Sequence, residues 1–149
     1  MTQLAFVATE LGDHDLLREF ITAFHHEDGH PIAPEVLDRA LDALARSEPL
    51  LHVWKIMADA RAIGYVALTV GFSIEVGGFD AFVDELYVLP EARGQGAGRE
   101  ALRFVETAAR SLGVRRLCLE VETHNALATA LYRGAGYHAH PRHLMSKWL

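Results

Sequence analysis

The chain has 149 residues, 50% of them hydrophobic and 23% charged, the make-up of one globular domain over residues 1–149 rather than of a disordered segment. Its formal net charge of -6 argues against a general nucleic-acid binder, whose phosphate contacts need a basic surface, and suits a cationic substrate. A single cysteine, Cys118, excludes an intrachain disulfide, and with no basic leader at residues 1–4 and no run of roughly 20 apolar residues, a cytoplasmic protein with no membrane segment is expected.

Residues 4–9 are short, apolar and β-prone and predict a first strand. Asp13 can cap the helix that follows, where Leu17, Phe20, Ile21 and Phe24 recur at the spacing of one buried face. The polar run from His25 to His30, with Gly29 and Pro31, ends that helix. A second helix starts near Pro34, and its stripe is Val36, Leu37, Ala40, Leu41 and Leu44. Strands over 51–58 and 62–70 come next, joined by a turn at 59–61. Gly77 and Gly78 mark the turn of a longer hairpin whose second arm runs over 79–89. A glycine-rich loop at 94–98 opens a helix with Leu102, Val105, Ala109 and Leu112 on one face, closed by Gly113. A fifth strand over 114–121, a helix over 125–135 and a last strand near 144–148 complete the chain. The order β-α-α-β-β-β-α-β-α-β predicts an α/β fold with a mixed sheet and helices on both faces.

The most informative stretch is residues 86–99. A strand carrying Leu86, Tyr87 and Val88 enters the turn Arg93, Gly94, Gln95, Gly96, Ala97, Gly98, and the turn opens a helix at Arg99. Glycines let the backbone adopt positive φ and approach a ligand closely. The unpaired N–H groups at the helix start then face an anion, helped by the helix dipole, and Arg93 and Arg99 add positive charge. These parts make a pyrophosphate cradle. The glycine spacing is not G-x-G-x-x-G, and no Gly-Lys-Ser/Thr of a Walker loop is present.

Arg93 to Gly98 matches the R/Q-x-x-G-x-G/A signature of the GNAT acetyltransferase superfamily, and Leu86, Tyr87, Val88, Pro90 and Glu91 resemble the lead-in from its fourth strand. Leu119, Glu120, Val121, Asn125, Ala128, Leu131, Tyr132, Gly136 and Tyr137 resemble the family's next motif. The resemblance covers almost the whole chain. It implies a mostly antiparallel mixed sheet splayed between strands four and five, and acetyl-CoA as co-substrate. It sets the pyrophosphate on the glycine loop and the pantetheine in the splayed gap, bonded to backbone like that of Leu86 and Val88. It also implies Tyr132 as general acid, Asn125 as a pantetheine contact, Ala128 as a small residue that lets the pantetheine approach, and a homodimer. Glu27, Asp28, Gly71, Phe72, Ser73 and residues 82–85 resemble the diamine and thialysine acetyltransferase branch, which often carries the acids of Asp84 and Glu85 in reverse order.

Acetyl transfer needs a neutral amine, and an alkyl amine is mostly protonated at neutral pH, so something must remove a proton; a carboxylate, alone or through water, can do this and can hold the cation before reaction. Asp84 and Glu85 are the candidates. As neighbours on a strand they are expected to point to opposite faces, so that only one meets the acceptor. Glu27, Asp28 and Phe72 are expected at the acceptor rim. No metal is expected: no H-E-x-x-H occurs, and the adjacent His25 and His26 point apart on a helix. Cys118 reads as a packing residue, Phe72, Phe79 and Phe82 as mainly core, and His138, His140 and His143 as surface. The expected activity is acetyl-CoA-dependent N-acetylation of a small cationic amine by direct transfer in a ternary complex. The alternatives are acetylation of a protein lysine or N-terminus, and a non-catalytic acyl-CoA sensor.

Overall fold

The computed structural model describes residues 3–149. The elements are β1 (Leu4–Ala8), α1 (His14–Glu27), α2 (Pro34–Ala45), β2 (Leu51–Ala58), β3 (Arg61–Ser73), β4 (Gly78–Val88), α3 (Ala97–Ser111), β5 (Val114–Cys118) and α4 (Ala126–Gly134). They build a five-stranded sheet in the order β1-β2-β3-β4-β5. Every neighbouring pair is antiparallel except β4 and β5, which are parallel and joined through α3. The mixed, mostly antiparallel sheet is as expected.

Helix periodicity sorts the side chains onto the two faces. Leu17, Phe20 and Ile21 of α1 and Leu37 and Leu41 of α2 pack on Val53, Tyr65, Ala67 and Tyr87. On the opposite face, Val105 and Ala109 of α3 pack on Val66, Leu68, Ala81 and Val83, while Ala97 and Ala101 meet Ile56 and Ile63. Each fully buried large aliphatic or aromatic side chain contributes about 1.5–3 kcal/mol. β1 is tied to α3 by the stacked rings of Phe6 and Phe104, 4.5 Å apart.

Two features of β4 shape the sheet where the loop and its neighbouring acids lie. Its ladder with β5 runs only from Phe79↔Val114 to Phe82↔Cys118, so from Val83 to Val88 its outer edge has no partner strand among the described residues. Its ladder with β3 slips by one residue: Ala67 pairs with Glu85 and Leu68 with Val83, leaving Asp84 as the extra residue of a bulge.

Three expectations are corrected. The fifth strand ends at Cys118, not at 121, because the chain turns away from β4 there and loses its ladder. Residues 137–149 form no strand: β-prone residues become one only beside a partner edge, and Leu144, Met145 and Trp148 stay exposed instead. Phe72, Phe79 and Phe82 are not core but 69%, 46% and 37% exposed, since the β3–β4 hairpin runs out beyond the helices that cover the rest of the sheet.

Candidate active site

β4 ends at Val88, a single 3-10 turn at Pro90–Ala92 redirects the chain, and α3 begins at Ala97. Between them Gly94 has φ 76° and Gly96, the N-cap of α3, has φ 91°, a left-handed conformation that favours glycine. A Cβ at either would meet no atom within 4 Å, so the space beside the loop is open. The first-turn N–H groups at Ala97, Gly98 and Arg99 have no acceptor within the helix and face that opening with the positive end of the dipole. Gln95 and Arg99 are exposed beside it. Arg93 is not free. Its Nε donates to the Val88 carbonyl at 2.8 Å, Nη2 donates to Glu27 at 2.7 Å, and the guanidinium lies 5.6 Å from the Tyr87 ring centre. It braces the loop against α1 and the end of β4.

The open edge of β4 leads away from this cradle. Leu89 donates its N–H to the Ile63 carbonyl at 2.8 Å, and antiparallel bonding alternates, so Leu86 and Val88 turn their backbone groups into the gap. α4 follows β5 and comes up to the loop at Gly98. Asn125 is its N-cap. The Oδ1 atom accepts the Ala128 N–H at 3.0 Å, which orders the first turn and leaves the side-chain amide of Asn125 to donate outward. A side chain at Gly98 would press on Leu131 of α4 at 3.1 Å, so glycine there lets helix and loop approach. Tyr132 is half-buried, packs edge-on against Tyr137 with centres 6.2 Å apart, and has its hydroxyl pushed above the usual tyrosine range by burial and by Asp28. It keeps its proton at neutral pH.

The bulge overturns the expectation that Asp84 and Glu85 oppose one another. Ala81 and Val83 face α3, whereas Tyr87 faces α1 and α2, so odd-numbered residues change faces across Asp84. Both acids therefore lie on the α1–α2 side. Glu85 is held there at both oxygens: Tyr65 donates its hydroxyl to Oε2 at 2.6 Å, and Nε2 of His25 lies 2.6 Å from Oε1. His25 is fixed in turn by a 3.1 Å contact between Nδ1 and the His30 carbonyl. Asp84 makes no hydrogen bond or ion pair among the described residues. Desolvation, with Glu85 and Glu120 adding repulsion and His25 opposing them, moves its carboxyl above the usual range while it stays accessible to solvent.

His25 is absent from the residues expected at the site. Its position four residues after Ile21 and eight after Leu17 lies on the buried stripe of α1, and that spacing was the signal. Glu27 is paired with Arg93 at the end of α1. Asp28 lies near Tyr132, and it converges with His30 and Glu122 to within 4.8 Å, with His30 and Glu122 hydrogen-bonded at 3.1 Å. Phe72 borders a groove of about 270 Å³ with Thr69, Gly71, Asp80 and Phe82, and Phe82 lies two residues from Asp84 along β4. Cys118 is half-buried with its thiol pushed up by burial and by Asp80, which suits packing rather than attack. His138, His140 and His143 are exposed, as expected. No helix among the described residues is long and apolar enough to cross a membrane.

Residues 14–137 match the acetyltransferase (GNAT) family. Over 104 residues the chain is 31% identical to an uncharacterized N-acetyltransferase, YycN, of Bacillus subtilis; this stretch is 69% of the chain but only 62% of the length of that relative. Among solved structures, an integron cassette protein from the mobile metagenome of Cole Harbour Salt Marsh superposes with a TM-score of 0.84 at 33% identity, over 97% of this chain and 90% of that one. An aminoglycoside N-acetyltransferase in complex with CoA shares the fold, with a TM-score of 0.81 at 15% identity over 99% and 96% of the two chains.

Proposed function

The chain belongs to the GNAT family of acetyltransferases, and from that premise we propose that it is an acetyl-CoA-dependent N-acetyltransferase acting on a small cationic amine by direct transfer. The observation that carries this reading is the open edge of β4, which runs from the glycine cradle to a carboxylate pair on one face of the sheet. When bound, acetyl-CoA supplies the activated acetyl thioester. The N–H groups at Gly96, Ala97, Gly98 and Arg99 would hold its pyrophosphate. The backbone of Leu86 and Val88 would bond the pantetheine, with the amide of Asn125 and the small Ala128 on the other wall. The open space beside Gly94 and Gly96 leaves room for such an anion.

Asp84 has the free carboxylate of the pair, so it binds the acceptor ammonium and takes its proton. The neutral nitrogen would form its bond to the acetyl carbon as the carbon–sulfur bond breaks, and the second proton it sheds on becoming an amide would pass to solvent. The N–H of Val88, pointing into the gap, stabilises the charge that develops on the carbonyl oxygen. Tyr132, which keeps its proton at neutral pH, would give it to the leaving sulfur and recover it from solvent. No side chain needs to carry the acetyl group, in keeping with the unactivated Cys118. The free carboxylate of Asp84 and the overall charge of -6 support a cation over a neutral or acidic acceptor. The test is a screen of polyamines, amino acids, aminoglycosides and peptides with acetyl-CoA, reading free thiol release. Turnover is expected with a small cationic amine. Release only with peptides would move the reading to protein acetylation, and release with none would favour an acyl-CoA sensor.

A further inference from the structure

We propose that His25 is a positioning residue that neutralises Glu85, leaves Asp84 as the one free carboxylate on that face of the sheet, and so sets the pH above which the acceptor amine is deprotonated. This role rests on the acetyl-transfer reading. The hydrogen bonds fix the number of protons in the cluster. The His30 carbonyl can only accept, so Nδ1 of His25 carries a hydrogen. Tyr65 is buried and its hydroxyl is pushed far above the usual range, first by burial and then by Glu85, so it donates to Oε2 of Glu85. The remaining contact, 2.6 Å between Nε2 of His25 and Oε1 of Glu85, then holds one proton. Two bare acceptors at that distance would repel, and two hydrogens would not fit. Whichever atom holds the proton, the pair has no net charge.

That neutrality matters because of the bulge. Asp84 and Glu85 share a face, and two charged carboxylates side by side would hold a proton between them. The groups that act on Asp84 are Glu85 on β4, His25 from α1 and Glu120 beyond β5, and only His25 favours the charged form. On the elements around this face, Arg93 is bound to Glu27 and Arg116 to Asp80, Tyr65 on β3 is committed to Glu85, and Tyr132 on α4 faces Asp28. His25 also sits in the last turn of α1, where the helix dipole favours a cation. Glu85 is thus already matched to a proton, and Asp84 is available for the substrate's.

The test uses His25→Gln, which keeps a neutral donor toward Glu85, His25→Asn, which keeps one toward the His30 carbonyl, and the double variant H25Q/E85Q. The first readout needs no substrate: the midpoint of the Asp84 carboxyl in a carbon-13 NMR pH titration. Either single variant leaves an uncompensated Glu85 and should raise that midpoint by roughly one pH unit. The double variant should return it to the wild-type position. The second readout is kcat/KM against pH with the acceptor identified by the amine screen, whose acidic limb should move up by the same amount in the single variants and return in the double. The thermal shift caused by acetyl-CoA should stay unchanged, because the cradle is untouched. An Asp84 midpoint unmoved in the folded single variants would overturn the assignment of His25. Absence of turnover in the wild-type protein would overturn the transfer reading alone, since the NMR midpoint still decides the role of His25.

Discussion

Asp84 and Glu85 differ by one methylene and one position, yet the bulge and the hydrogen bonds of Tyr65 and His25 give them different surroundings. Asp84→Asn should lower kcat by roughly 10²- to 10⁴-fold, the span of general acid–base catalysis, while Glu85→Gln should cost much less in kcat; steady-state kinetics of both variants decide it. Asp84 also couples function to stability. Its carboxyl titrates higher in the folded chain than in the unfolded one, first because of desolvation, so the folded state binds the extra proton in that window. Stability therefore falls as pH rises from the ordinary Asp range through the raised value, and above it the charged carboxylate is a standing cost. Asp84→Asn should melt on the order of a degree or two above wild type at pH 7 and lose that advantage at pH 4. At Tyr132, burial and Asp28 keep the hydroxyl protonated. Tyr132→Phe should lower kcat by roughly ten- to a thousandfold with acetyl-CoA affinity little changed, and unaltered turnover under conditions where chemistry limits the rate would remove it from the mechanism. The residue types of this site were legible in the sequence. The sharing of a face by Asp84 and Glu85 was not, because strand alternation carries no sign of where a ladder slips.

Among the elements, the β4–loop–α3 unit was the most legible. Its glycines report a backbone need that no other residue meets well, and both Gly94 and Gly96 have positive φ. Gly96→Asp puts a side chain and a negative charge into the open side of the loop, so it should abolish the rise in melting temperature caused by acetyl-CoA; a shift equal to that of wild type would remove the loop from cofactor binding. α1 was legible as a helix but not as a contributor to chemistry. Its stripe of Leu17, Phe20, Ile21 and Phe24 continues to His25, and a polar residue at the end of an apolar stripe reads as the helix boundary until its partner on another strand is known. Asn125 came into view through the family resemblance, and its capping of α4, in which Oδ1 accepts the Ala128 N–H, appears only in the structure.

Across the whole molecule, the two helical layers close over a sheet whose β4 and β5 pair for only four residues of β4, and that partial pairing leaves the backbone edge a ligand can use. Acetyl-CoA bound along it should stabilise the native chain by mass action, about 2.7 kcal/mol at a hundredfold excess over Kd. That corresponds to roughly 5–10 °C in melting temperature. A scan without a shift at saturating ligand would contradict the cradle and the gap together. The local features were written into the chain alone: the periods of 3.6 and 2 that form the helices and strands, the turn glycines, and the order of the elements as far as α4. These depend on neighbours a few residues apart, which any chain carries with it. The long-range features came only with folding: the slip that turns Asp84 beside Glu85, the pairing of His25 with an acid 60 residues away, the engagement of Arg93 by Glu27, and the exposure of the hairpin phenylalanines. Each depends on which elements meet and how far they cover one another, and those contacts exist only once the chain has folded.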